Sequence, residues 1–436
     1  MIGVGTTLFR RECVSVKTAP AHMPVFFLYA GVFYNAFLAI VNAHVAQIGQ
    51  GVVMAAEGLI LAIAAAYLLT RIDALKDHVY AIGVPLLIYT QLFVWVSVTN
   101  QSFFVKSLRD FVIMFTFYLL GTQCTAAQLA RAFRVIVGVT TGVLLIEGLA
   151  VDLYAAIFQP ANYYANTRGI AKFALDDTGL FHNAFAFEGR FAYGLFGNRR
   201  LSSIFLEQVS LANFAMVLSI FVMTFWQTLG RWDKLLFMGA ITLTILSTSS
   251  RMGTFFCPLM LFGYAIFPWL PRYSFRFMMP LALAGSFLLF YDPLAPVLLT
   301  SDDLHGRAAH TVSMLAAMDW IDLLAGNSSE SGQAADSGFA YLAYTQTIFG
   351  LIYFWYFLAT IFPTQTDIEK RFVQGATLYI VGNLMLGEGI FTIKVSAPLW
   401  LISGYLAAQS KQRSLLRLHM HDHARFYGKA VGKRFN

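Results

Sequence analysis

Arg199-Arg200-Leu201-Ser202-Ser203-Ile204-Phe205-Leu206-Glu207 runs directly into an apolar segment from Val209 to Thr228. An apolar run of about 20 residues crosses roughly 30 Å of hydrocarbon as a helix. Two arginines and a glutamate therefore stand at the mouth of a membrane segment, where charge is costly unless it faces a polar cavity or a partner. Similar apolar runs recur along the chain. Of its 436 residues, 58% are hydrophobic and 12% charged, with a mean hydropathy of +0.63. A soluble domain carries about 25% charged residues. The runs are continuously apolar, not alternating over about ten residues, so helices are expected and not a β-barrel.

The expected fold is all-α, a single integral membrane domain over residues 1–436. It has about twelve spans, near 23–43, 52–70, 79–99, 109–123, 134–153, 208–228, 234–249, 252–270, 275–291, 338–362, 372–388 and 391–409. Arg10, Arg11 and Lys17 ahead of the first run imitate a signal peptide, but no small-residue cleavage site follows, so the run is kept as a span. Lys and Arg concentrate in short cytoplasmic loops. Placing both termini in the cytoplasm puts 20 of the 30 basic residues there, including a basic tail over 410–436. The short outside loops near 44–51 and 100–105 then hold no Lys or Arg. Ten basic residues remain for the outer side: Lys106, Arg109, Arg168, Lys172, Arg190, Arg199, Arg200, Arg251, Arg307 and Lys394. The net charge of +7 is thus an orientation signal and implies no nucleic-acid partner. Cys13, Cys124 and Cys257 are scattered without ligand spacing, which suggests neither a disulfide framework nor a metal site.

Two long connections, about 154–207 and 292–337, both fall outside. The first is rich in Tyr and Phe, the second in mixed charge, and neither has a clear helix or strand pattern. Loops of that length are usually functional or disordered, and this composition argues against plain disorder. The aromatic residues read as an interfacial belt or as faces for sugar rings.

Several residues could carry chemistry, each with a bland reading beside the sharp one. Arg251, in Thr248-Ser249-Ser250-Arg251-Met252-Gly253, lies between two apolar stretches. It either faces a polar cavity, where its fork suits phosphate oxygens, or marks a tight turn and snorkels to the interface. Arg200 and Glu207 share a face if their segment is helical: an anion-binding pair, or a salt bridge at a helix start where a carboxylate is favourable. Arg307 follows Gly306 in what reads as an exposed loop. Asp336, in Asp336-Ser337-Gly338-Phe339, either caps the next helix or faces the arginines. No phosphate-cradling Gly-rich loop is present, which argues against a nucleotide-driven pump.

The order of these motifs resembles the Wzy-type polysaccharide polymerase and O-antigen ligase superfamily. The similarity covers roughly Arg199 to Gly350. It comprises Arg-Leu-Ser-Ser-x-Phe-x-Glu entering a span, Ser-Arg-Met-Gly from Ser250, Gly306-Arg307 in the late outside loop, and Asp336-Ser337-Gly338-Phe339 leading to a span with Gly350. The resemblance implies inverting, metal-independent glycosyl transfer, without cofactor, on the periplasmic face of a bacterial inner membrane. The donor would be an undecaprenyl-pyrophosphate-linked glycan and the acceptor a sugar hydroxyl on a second lipid-linked unit. A chain-length regulator and a repeat-unit flippase are the implied protein partners. It further implies catalytic roles for Arg200, Arg251 and Asp336, with Arg307, Glu207, Arg199, Ser250 and Ser203 as substrate contacts. Ligases of this superfamily tend to carry a histidine near the end of the late loop. Asp336 stands nearest that place here, which favours polymerisation over ligation and leaves the base open. A flippase or transporter of about twelve spans is the alternative from a different class, and transporters bind near the midplane, often at internal repeats. No repeat is visible.

Overall fold

The computed structural model describes residues 22–170, 179–180, 184–185, 191–292 and 304–432. Arg10, Arg11, Lys17, Lys172, Arg190, Lys433 and Arg434 lie outside them, as do Phe181, Phe187, Asp302 and Asp303. The described chain is helical, with one isolated antiparallel bridge between Phe185 and Arg199.

A helix stands at every one of the twelve apolar runs. The first five are α1 (Met23–His44), α2 (Gln50–Leu69), α3 (Ile72–Thr99), α4 (Val105–Gly121) and α5 (Ala126–Leu149). Two short helices follow, α6 (Val151–Phe158) and α7 (Pro160–Arg168), and then α8 (Gln208–Phe225), α9 (Arg231–Thr248), α10 (Arg251–Ile266) and α11 (Phe275–Phe290). Short α12 (Leu304–Ala317) and α13 (Trp320–Ala325) precede α14 (Gly338–Ile361), α15 (Asp367–Leu386) and α16 (Ile393–Gly432). Among the described residues, seven helices are long and apolar enough to cross a membrane: α1, α2, α3, α5, α8, α10 and α14.

Four expectations need correction. The fifth run starts at Ala126, not near 134, because Thr125 and Gln128 form a capping box that begins the helix earlier. Arg131 and Arg134 are then helical, and Arg134 holds Asp233 of α9 through two bonds of 2.7 and 2.9 Å. The long connections are not structureless either. Pro160 at the first position starts α7, and Gly169 in the left-handed region ends it. Arg307 lies on α12, not in an exposed loop. Nor are three tyrosines of the first connection part of an interfacial belt. Tyr154, Tyr163 and Tyr164 are buried, and the hydroxyls of Tyr154 and Tyr163 bond inward, to Ser203 and Asn35.

The core is built on α8, whose side chains are almost all buried against α9, α10, α15 and α16. A helix apolar on every face is one enclosed by others. α4 and α16 form another close pair, made possible by small residues. A Cβ on Gly404 would overlap the Tyr118 carbonyl, and one on Gly121 the Leu401 carbonyl. Small residues at crossings let membrane helices gain dispersion contacts where no hydrophobic drive exists.

Candidate functional site

The stretch from Arg199 to Glu207 is a strapped turn, not a helix. Ser203 to Phe205 form one 3-10 turn, and Ser203 and Leu206 have φ of 51° and 58°. Side chains other than glycine are strained in that region by roughly 1–2 kcal/mol each, so the surroundings must hold the turn. Glu147, near the end of α5, does so. Its carboxylate accepts from the Ser202 and Ser203 amides at 2.9 and 2.6 Å and from the Ser202 hydroxyl at 3.1 Å. The Tyr154 hydroxyl donates to the Ser203 carbonyl at 2.9 Å, and Lys394 of α16 donates to the Phe205 carbonyl at 2.9 Å.

This geometry separates the predicted residues. Ser203 is completely buried and its hydroxyl donates to the Thr140 carbonyl, so it shapes the turn and does not reach a substrate. Arg199 donates to the carbonyls of Glu147 and Gly148 at 3.3 and 3.2 Å, capping the end of α5. Both are corrections to a substrate-contact role. Arg200 places its Nε on the Thr248 carbonyl at 3.0 Å, at the end of α9. Cations are favourable at a helix C-terminus, which explains why this segment begins with two arginines. Arg200 and Glu207 do not share a helix face, because the segment between them is a 3-10 turn broken by two left-handed residues.

Glu207 immediately precedes α8 and accepts from Arg168 at 3.4 Å and from the Ser210 hydroxyl at 3.1 Å, with Lys394 Nζ at 3.8 Å. Burial pushes its carboxyl up, but Arg168, Lys394 and the Ser210 hydroxyl outweigh it and hold it below the ordinary range. Its folded-state value being depressed, the charge persists at neutral pH and is lost only as pH falls through that lowered value.

The α9–α10 corner positions Arg251. Ser249 takes the left-handed turn (φ 50°) and Ser250 caps α10, its hydroxyl accepting from Gly253 N at 3.1 Å. Arg251 therefore opens a helix at its positive end, where its charge and the dipole add to one positive field that favours an anion, and it lies 5.8 Å from the centre of the Phe191 ring. In contrast, Arg307 donates to the Leu386 carbonyl at 2.8 Å, at the end of α15, and to Asp336 at 3.2 Å. The cap of α14 is Ser337, not Asp336: its hydroxyl accepts from Ala340 N at 3.2 Å. Asp336 is left half-exposed beside Arg307.

All these segments open on one cavity of about 1690 Å³. Arg200, Glu207, Ser250, Arg251, Arg307 and Asp336 line it; Arg199 and Ser203 do not. Among the described residues, seven cations and four carboxylates line it, a formal excess of three positive charges. Every one of the seven belongs to the ten basic residues assigned from sequence to the outer side. The N-terminal residues of α8 and α10 also line it, adding the partial positive charge of two helix ends. The apolar remainder includes Met54, Met252, Phe255 and Leu259.

Sequence reasoning did not assign six of the charged lining residues to the site: Glu57 of α2, Lys106 and Arg109 of α4, Arg168 of α7, Glu388 before α16 and Lys394 of α16. The available signal was an ionisable residue inside or beside an apolar run, itself a pointer to function. Comparison of the chain with protein-family models, with curated proteins and with solved structures yields no match in any of the three.

Proposed function

We propose that this protein is a polysaccharide polymerase of the bacterial inner membrane, with twelve spans, cytoplasmic termini and a cavity that opens to the periplasm. It joins undecaprenyl-pyrophosphate-linked repeat units into an exopolysaccharide or O-antigen chain. The observation that carries this reading is the gathering of Arg200, Arg251 and Arg307 with Glu207 and Asp336 on one cavity that is cationic and partly apolar. A polyprenyl pyrophosphate is both anionic and apolar, so it matches both surfaces.

In the reaction, the acceptor hydroxyl attacks the anomeric carbon from the face opposite the phosphate. The carbon–oxygen bond to pyrophosphate breaks, and its electron pair leaves with undecaprenyl pyrophosphate. Arg200, Arg251 and Arg307 neutralise the charge that grows there, the task of preorganised cations. The acceptor's proton passes to a carboxylate, and Asp336 beside Arg307 is assigned that role.

Deleting the gene and separating the cell's lipid-linked and secreted glycans on a gel tests the reading. Single repeat units on lipid with long polymer gone are expected. Repeat units trapped inside the cell would make the protein a flippase, and free long polymer that fails to reach its final acceptor would make it a ligase.

Asp336 and Ser337 can be separated by paired variants. Asp336→Asn should lose at least a hundredfold in polymer formation with an unchanged unfolding temperature, as expected for a lost general base. Ser337→Ala should lose about 1 kcal/mol of stability with its cap and keep its chemistry. Wild-type chain lengths in Asp336→Asn would remove it from the mechanism.

A further inference from the structure

The cavity wall formed by α1, α2 and α4 carries different chemistry from the arginines that meet helix ends. On α2, Glu57 accepts from Arg109 of α4 at 2.6 Å and from the Tyr34 hydroxyl of α1. Arg109 also donates to the buried Asp110 at 2.7 and 3.2 Å, and Tyr341 of α14 donates to the other oxygen of Asp110 at 2.8 Å. Lys106 bonds to Glu388 and lies 4.6 Å from the centre of the Tyr341 ring.

The cavity-lining charges of this wall are balanced. Lys106 and Arg109 face Glu57 and Glu388, with Asp110 behind, while the cavity's positive excess belongs to Arg168, Arg200, Arg251, Arg307 and Lys394. A pyrophosphate would meet carboxylates here as well as cations, so like charges oppose its binding. A sugar hydroxyl both donates and accepts, and a wall of alternating carboxylates, cations and phenols offers it both partners. The Lys106–Glu388 pair is also open to a ligand: the two side chains are 32% and 22% exposed and both residues line the cavity. An ion pair used only to join helices would be sealed by them.

The two chemistries adjoin. Glu388 is two residues beyond Leu386, whose carbonyl holds Arg307, so a sugar on this wall lies beside the cationic part of the cavity. We propose that the Glu57–Arg109 and Lys106–Glu388 pairs form a glycan subsite that binds hydroxyls; on the polymerase reading, which this assignment extends, it holds the acceptor sugar. The subsite explains why a cavity with an anion site also carries balanced ion pairs along one side.

Two probes separate the halves of the cavity in the purified full-length protein: inorganic pyrophosphate, and the oligosaccharide freed by mild acid from the cell's own lipid-linked pool. Replacing both partners, Lys106→Gln with Glu388→Gln, leaves no unpaired charge. It should weaken oligosaccharide binding at least tenfold and leave pyrophosphate binding within twofold. Arg251→Ala should do the reverse. If the double variant fails to fold, Lys106→Gln alone, at the more exposed partner, carries the same expectation. Unchanged oligosaccharide affinity, equal losses for both probes, or no oligosaccharide binding by the wild type would each overturn the subsite. Oligosaccharide binding without pyrophosphate binding would keep the subsite and reject the polymerase.

Discussion

Arg251→Ala is expected to eliminate long polymer while the protein accumulates in the membrane at its wild-type level. The residue opens α10 from a corner that Ser249 and Ser250 build without it, so its removal should not unfold the corner. Its guanidinium lines the cavity at a helix N-terminus, where the field already favours an anion. Removing one preorganised donor from a developing anion costs about a hundred- to a thousandfold in rate, enough to erase a polymer that needs many successive transfers. Arg251→Lys keeps the charge and loses the bidentate fork, and should yield short chains. Glycan gels with abundance measured by immunoblot check both. Normal chain lengths in Arg251→Ala would end its assignment to the pyrophosphate.

Glu147→Ala should be the most damaging single change to the fold around the site. Its carboxylate satisfies the Ser202 and Ser203 amides and the Ser202 hydroxyl in a buried setting. Each orphaned buried donor costs about 1–3 kcal/mol, and the strained φ at Ser203 and Leu206 then loses its restraint. A loss of about 3 kcal/mol or more is expected, read as a lower unfolding temperature in detergent and reduced abundance. Glu147→Gln keeps one acceptor oxygen but turns an amide donor toward backbone donors, so it should fall between. An unaltered unfolding temperature in Glu147→Ala would show that the turn is held by its other contacts. This outcome does not depend on the reaction catalysed.

The positions of the helices were legible because hydrophobic length is a local property. A run such as Val209 to Thr228 needs only its own side chains to specify a membrane-length helix, and a helix stands at each run. The shared cavity was also partly legible. Sorting Lys and Arg by membrane side put Arg200, Arg251 and Arg307 together, and the structure brings them to one cavity.

The work done by each charge was decided by tertiary packing. Arg199 and Arg200 are neighbours in sequence, yet one meets the end of α5 and the other the end of α9 and the cavity. Ser203 lies between Arg200 and Glu207, yet its hydroxyl is buried on the Thr140 carbonyl and does not line the cavity. Glu57 and Arg109 are 52 residues apart, and Lys106 and Glu388 are 282 apart. An ion pair forms when helices distant in the chain pack side by side, and in a low-dielectric interior each buried charge must find such a partner. Apolar length belongs to the sequence; the partner of each charge, and hence which charges line the cavity together, belongs to the fold.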